Sequence, residues 1–340
     1  MKKFDFVVGN PPYQDETIGD NKTYAPPVYN FFLENTFKIS DATIMIHPAR
    51  FLFNAGSTPA EWNRKMLTDK HFKVLKYESN SKIFFENQLI KGGIVITYRD
   101  KNKIFEPIEI FTPYYQLNKI LKKVIHRNEE SLSKIAISSY SYHFNKVLYD
   151  DFPEAKGRLS KGHELDLKSN LFEKLPMIFE EKSSNTYKII GRLENIRTHR
   201  YINKKYITKV INLNKYKVFL SGAIGDGSFG EKLSTPIIGF PGYAATETFM
   251  SIGIFDNLQE LENCIKYIKS KFARSLLGIK KSTQANTPGK WEYVPLQDFT
   301  ENSDIDWSKS ISEIDQQLYK KYGLSDEEIA FIEEKVQEME

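Results

Sequence analysis

The chain opens with five residues that read as a short strand, Phe4-Asp5-Phe6-Val7-Val8, and stops it at once with Gly9-Asn10-Pro11-Pro12-Tyr13. A proline has no N–H to give to a sheet ladder, so the strand must end where the prolines begin. Asn10 and Tyr13 are therefore held by a stiff turn at the carboxyl end of a strand. Open α/β sheets place their ligands at such ends.

The following segments keep the α/β rhythm. Apolar residues between Tyr24 and Phe37 recur at helical spacing behind the helix-opening pair Pro26-Pro27. Thr43–Ile46 reads as a strand leading into His47-Pro48-Ala49-Arg50-Phe51, with His47 as a turn residue. Thr58-Pro59-Ala60-Glu61 opens a helix with Trp62, Met66 and Leu67 on its apolar side. Phe72–Tyr77, Ile94–Tyr98 (after the turn Lys91-Gly92-Gly93) and Ile108–Phe111 read as further strands. Strand and helix alternating in this way give an α/β class with crossover helices.

Beyond about residue 115 the pattern becomes Lys-rich and helical, with a loop-like stretch around 150–168. From Lys188 to Val294 short strands mix with Gly- and Pro-rich turns, an α+β pattern, followed by one helix over Leu258–Leu277. Ser325-Asp326-Glu327-Glu328 is a capping box for a final helix, Ile329–Val336. The expected division is 1–115, a helical connection 116–187, an α+β domain 188–300 and a helical tail 301–340.

In a chain of 340 residues with 40% apolar residues there is ample material for such cores. The 48 basic residues against 44 acidic ones leave a net charge of +4, too small by itself to imply a polyanionic partner. The distribution says more. Arg192, Arg197, Arg200, Lys204, Lys205 and Lys209 interleave with Tyr201 and Tyr206, and only Glu194 opposes them. Lys266, Lys269, Lys271, Arg274, Lys280 and Lys281 form a second cluster before Ser282-Thr283-Gln284. Either cluster alone is an ordinary solvated face; together they suit phosphate neutralisation with base contact. The single cysteine, Cys264, excludes an intrachain disulfide and a cysteine-rich zinc site, fits a cytoplasmic location and reads as core. No metal site is read, and no stretch is apolar enough to span a membrane.

Asn10, Pro11, Pro12 and Tyr13 suggest a specific chemistry. An exocyclic amino group needs acceptors for both hydrogens as its lone pair becomes nucleophilic. An Asn side-chain oxygen beside a backbone carbonyl freed by the Pro-Pro turn supplies two, and a tyrosine offers a flat face for a base turned out of a duplex. These residues resemble the Asn-Pro-Pro-Tyr motif of the amino-methyltransferase family, in particular the N6-adenine DNA methyltransferases of type II restriction-modification systems. The order of strands around the motif and the C-terminal tracts near Trp291 and Leu318–Leu324 resemble that family too. The resemblance implies a partial Rossmann-like methyltransferase sheet followed by a separate α+β DNA target-recognition domain, S-adenosylmethionine as methyl donor and double-stranded DNA as partner. It implies that Asn10 and the Pro11 carbonyl bind the adenine amino group and that Tyr13 stacks on the ring. Phe84 and Phe85 fall where related enzymes place an aromatic near the flipped base, although two adjacent phenylalanines are otherwise core residues.

Only nine residues precede Asn10, too few for the glycine-rich turn and acidic residue that the family places ahead of the motif to hold the donor. The expectation is a start truncated before the catalytic motif and an incomplete donor site, with rival readings of two kinds. One is a DNA-binding specificity fragment or subunit, active only with a chain that supplies the donor-binding half, to which Phe4, Phe6 and Val7 would be exposed. The other is a methyltransferase acting on RNA or on a protein amide nitrogen. Gly222–Gly230, after the strand-like Tyr216–Leu220, lacks a following helix and reads as a flexible loop of the recognition domain rather than a donor site. The donor-binding residues are left unassigned.

Overall fold

The computed structural model describes residues 4–15, 25–54, 57–86, 90, 92–281 and 283–340. Tyr24, Lys91 and Ser282, named above, lie outside the described residues. The chain divides into two compact units, 1–118 and 119–340.

In the first unit the elements are β1 (Phe4–Gly9), α1 (Tyr29–Ile39), β2 (Ser40–Pro48), α2 (Ala60–Thr68), β3 (Phe72–Glu78) and β4 (Ile94–Asp100), with α3 (Tyr115–His126) containing the division point. The strands form one sheet in the order β1-β2-β4-β3. β1 and β2 are parallel, with Phe6 beside Ala42 and Val8 beside Ile44, and a parallel pair requires a crossover, which α1 supplies. β4 runs antiparallel to both β2 and β3. The expected crossover pattern of a Rossmann-like sheet thus extends to β1-α1-β2, and the rest of the sheet is mixed. Ile108–Phe111, expected as a strand, is not one: Glu109 takes a left-handed φ of 54° and gives its N–H to the Leu67 carbonyl, while Ile108 and Phe111 pack on the core.

Alternation decides which face is buried. Thr43, Met45 and His47 of β2 point into a core with Leu33, Phe51, Trp62, Met66 and Phe72. The opposite face carries Phe4, Phe6 and Val8 of the edge strand β1, all exposed, with Val8 at 68%. Val7, expected to be exposed, packs against the core because it lies on the other side of the pleat. His47 is likewise a strand residue and fully buried, not a turn residue. Its Nδ1 lies 3.2 Å from the Pro48 carbonyl, which can only accept, so the proton sits there and Nε2 accepts from Thr97 Oγ1 at 2.9 Å. Its ring stacks on Tyr29.

Burial lowers the His47 pKa to about 4, which makes the first unit acid-sensitive. The unfolded chain takes up this proton near pH 6.5 and the folded one near 4, so the contribution is complete above 6.5 and is lost as pH falls through that window. Its size is about 3 kcal/mol. Urea unfolding between pH 7 and 4 is expected to steepen in the wild type relative to His47→Phe; parallel curves would show that His47 charges without cost.

In the second unit the elements are β5 (Ala136–Ile137), α4 (Leu148–Asp151), α5 (Leu171–Lys174), β6 (Phe179–Glu180), β7 (Thr186–Leu193), β8 (Ile196–Asn203), β9 (Tyr216–Ser221), β10 (Ile237–Gly239), β11 (Tyr243–Ala245), β12 (Phe249–Phe255), α6 (Leu258–Lys269), α7 (Lys271–Lys280), α8 (Ile311–Lys321) and α9 (Asp326–Lys335). They build two sheets, β10-β9-β12-β5 and β11-β7-β8-β6. Tyr142, Phe144, Leu148, Leu171 and Phe172 share one core with Ile189, Ile202, Phe219 and Phe249, so the stretch from Tyr142 onward and the strands after it fold together. The single helix expected over Leu258–Leu277 is two. Ser270, fully buried, leaves helical geometry (φ −58°, ψ 149°), and its Oγ caps the N–H of Ala273. Cys264 is buried in α6, which pushes its thiol pKa up, and the capping box of Ser325 and Glu328 forms as expected.

Candidate active site and nucleic-acid interface

Asn10 stands at the carboxyl end of β1, exposed, and among the described residues neither its side chain nor the Pro11 carbonyl has a hydrogen-bond partner. Two acceptors on successive residues are thus left open on a rigid turn. The turn is anchored on its far side: Val28 N–H donates to the Tyr13 carbonyl at 3.2 Å, and Asp15 N–H donates to Pro26 at 2.9 Å. These bonds tie the motif to the entry of α1.

Tyr13 is half-buried. Its hydroxyl is buried without a hydrogen-bond partner among the described residues, and burial raises its pKa to about 12, so it stays a neutral phenol. Phe85 meets the Tyr13 ring edge to face, with centroids 6.2 Å apart. The loop of Phe84 and Phe85 therefore reaches the motif and is not part of the first unit's core; Phe84 instead lies under the Lys76 ammonium at 5.2 Å. The strand after this loop is set by Gly93 (φ 81°), where a Cβ would meet the Glu78 carbonyl at 2.4 Å and whose own carbonyl accepts from Ala49 N–H. What these groups can do chemically is hold a flat ring and satisfy two N–H donors on its edge. They do not form a set suited to the ribose and carboxylate of S-adenosylmethionine, and no residue is assigned to the donor.

The glycine-rich loop is closed from within. Glu231 accepts from the N–H groups of Asp226 at 3.1 Å and Gly227 at 3.3 Å, and pairs with the buried Lys281. A Cβ on Gly225 (φ 57°) would sit 1.8 Å from the Glu231 carboxylate, so the turn is shaped around that side chain.

The basic residues separate into two groups. Lys271 pairs with Glu333, and Lys280 with Glu292. Arg274 is buried and donates to the carbonyls of Lys269, Gly230, Glu231 and Gln337, while Lys281 donates to Ile224 at 3.0 Å. The second cluster thus holds the fold together, because carbonyls and Glu231 satisfy its buried cations; it is not the free face its charge suggested. Lys204 donates to the Ser184 carbonyl at 2.8 Å, and Lys205 pairs with Asp151 at 2.6 Å. Arg192 and Arg197 face each other across β7 and β8, and among the described residues neither has an ion-pair partner. Arg200 points to the other side of the sheet, over the Phe172 ring at 5.9 Å. Alternation within a strand was the signal in the sequence that could have separated Arg200 from Arg197.

The family match and the curated relative point the same way as the motif. Residues 1–84 match the family described as Eco57I restriction-modification methylase. The chain is similar to an uncharacterized adenine-specific methylase of Mycoplasma pneumoniae, 29% identical over 96 residues, covering 28% of this chain and 23% of that protein. It is also similar to the solved type IIG restriction endonuclease BpuSI, at 12% identity and a TM-score of 0.34 over 91% of this chain and 48% of that one. The chain thus spans about a quarter of the curated relative and about half of the solved one. Among the described residues there is no group of metal-binding side chains and no helix long and apolar enough to cross a membrane.

Proposed function

We propose that this protein takes part in methylating the N6 amino group of adenine in duplex DNA, in a restriction-modification system, with Asn10, Pro11 and Tyr13 receiving the base. The observation that carries this reading is the pair of open acceptors at the end of β1 beside the Tyr13 ring. The match of residues 1–84 to a restriction-modification methylase family supports it.

The adenine amino group is a poor nucleophile because its lone pair is delocalised into the ring. Hydrogen bonds from both N–H groups, to Asn10 Oδ1 and to the Pro11 carbonyl, favour a pyramidal nitrogen whose lone pair points away from the ring. S-adenosylmethionine, when bound, supplies a methyl group on a positively charged sulfur. Tyr13, neutral and backed by Phe85, fixes the plane of the base, so orientation rather than a strong base carries the rate. The proton lost from N6 needs no dedicated acceptor beyond these oxygens and water.

The protein isolated from its host, with whatever chains accompany it, is expected to transfer tritiated methyl from S-adenosylmethionine to unmethylated duplex DNA and to no RNA or protein in the same tube. Label found in RNA or on glutamine would favour the other substrates of this motif. DNA binding without any label transfer would favour a specificity subunit.

A further inference from the structure

The strands β7 and β8 are the inner pair of the sheet β11-β7-β8-β6, and beyond the residues paired with β11 and β6 they continue, from Gly191 to Thr198, as a two-stranded ribbon closed by a two-residue turn. Leu193 pairs with Ile196, and the turn residues Glu194 and Asn195 take φ values of 50° and 64°. Both left-handed values fit the tight hairpin turn whose twist matches that of the flanking strands, so the tip is stiff. Ile196, at the tip, is 70% exposed.

Residues directly opposite in an antiparallel pair share a face. One face of this ribbon therefore carries Arg192 with Arg197, Ile190 with His199, and Lys188 with Tyr201; β11 adds Tyr243 beside Lys188. Ile190 is covered, while Arg197 and His199 are exposed and Arg192 and Lys188 half-buried. Among the described residues no carboxylate pairs with Lys188, Arg192 or Arg197, and the Nε of Arg192 is buried without a hydrogen-bond partner. Among the described residues paired in register on this face, the one acidic group is Glu180, at the far margin beside Tyr201. Lys188 lies 4.8 Å from the Tyr243 ring and Arg197 5.6 Å from that of Phe249. Burial together with Lys188 and Arg200 lowers the His199 pKa, as accumulated positive charge would.

We infer that this ribbon is the element that reads the target sequence, lying in the major groove of duplex DNA with Arg192 and Arg197 on base edges and Lys188 on a phosphate. The inference deepens the proposed function and rests on its reading that DNA is the substrate. The groove admits a two-stranded ribbon, and guanine offers paired acceptors to an arginine there. The phosphates supply the negative charge that the face lacks. An ordinary solvated face would pair its cations with carboxylates, as Lys205, Lys271 and Lys280 do elsewhere in this chain.

The full protein and the variants Arg192→Ala, Arg197→Ala and Lys188→Ala are allowed to select duplexes from a random-sequence pool, and methyl transfer is measured separately. The wild type is expected to enrich one sequence. Each arginine variant is expected to lose preference at one or two positions and to bind the enriched duplex about tenfold or more weakly. Lys188→Ala is expected to keep the preference and to lower the salt slope of binding by about one. Unaltered melting would show that the variants fold. Enrichment and affinity unchanged in both arginine variants, with methylation intact, would overturn the ribbon assignment alone. Arginine-dependent selection by a protein that transfers no methyl group would uphold the ribbon and overturn the catalytic reading.

Discussion

Asn10→Ala is expected to lower methyl transfer by at least a hundred- to a thousandfold, on the order of what the loss of one preorganised polar contact to a reacting group costs. Duplex binding and thermal stability should barely change. Asn10 is exposed and makes no hydrogen bond among the described residues, so its removal costs the fold about 0.5 kcal/mol or less. In protein–DNA complexes affinity comes mainly from phosphate contacts rather than from a single base. A single-turnover assay at saturating DNA separates the two effects: the rate should fall and the dissociation constant should not. An Asn10→Ala protein that methylates at a comparable rate would remove Asn10 from the chemistry.

Trp291→Ala should be the most damaging single change in the second unit. Trp291 is fully buried, and its Nε1–H donates to Asn286 Oδ1 at 3.0 Å, while Asn286 Nδ2 donates to the Ser221 carbonyl at 3.1 Å. The indole thereby ties the segment after α7 to the end of β9. Emptying its site costs about 3–5 kcal/mol, and melting should fall by on the order of 10 °C. Trp291→Phe keeps most of the apolar area but orphans the Asn286 oxygen, at about 1–3 kcal/mol. Calorimetry of both variants should rank them in that order. Equal losses would mean that the hydrogen bond, not the packing, holds the segment.

What could be read from the sequence was local. The prolines after Val8 fixed the end of β1 and the place of Asn10, because a missing N–H acts on its own neighbours. The capping box at Ser325 and the buried Cys264 were legible for the same reason. The break at Ser270 was not, since the apolar spacing runs on through it and serine also occurs inside helices, so only the hydroxyl's bond to the Ala273 N–H marks the new start. Charge was the least reliable guide. Arg274 and Lys281 look like a basic face in a list of residues, yet they are drawn inside by carbonyls and by Glu231, contacts between residues up to 63 apart in the chain. Arg192 and Arg197 carry the same charges, share one face by strand alternation and have no ion-pair partner among the described residues. His47 was misplaced because a histidine before a proline reads as a turn, whereas β2 runs through both.

The reading of the Asn-Pro-Pro-Tyr turn as an adenine cradle is tested most directly by mapping modified bases along the DNA of cells that carry this protein, using single-molecule sequencing, with the Asn10→Ala variant as the comparison. The account predicts N6-methyladenine at one recurring sequence in the wild type and none at that sequence in the variant. Methyl groups on cytosine at that sequence, or adenine methylation that persists in the Asn10→Ala cells, would contradict it.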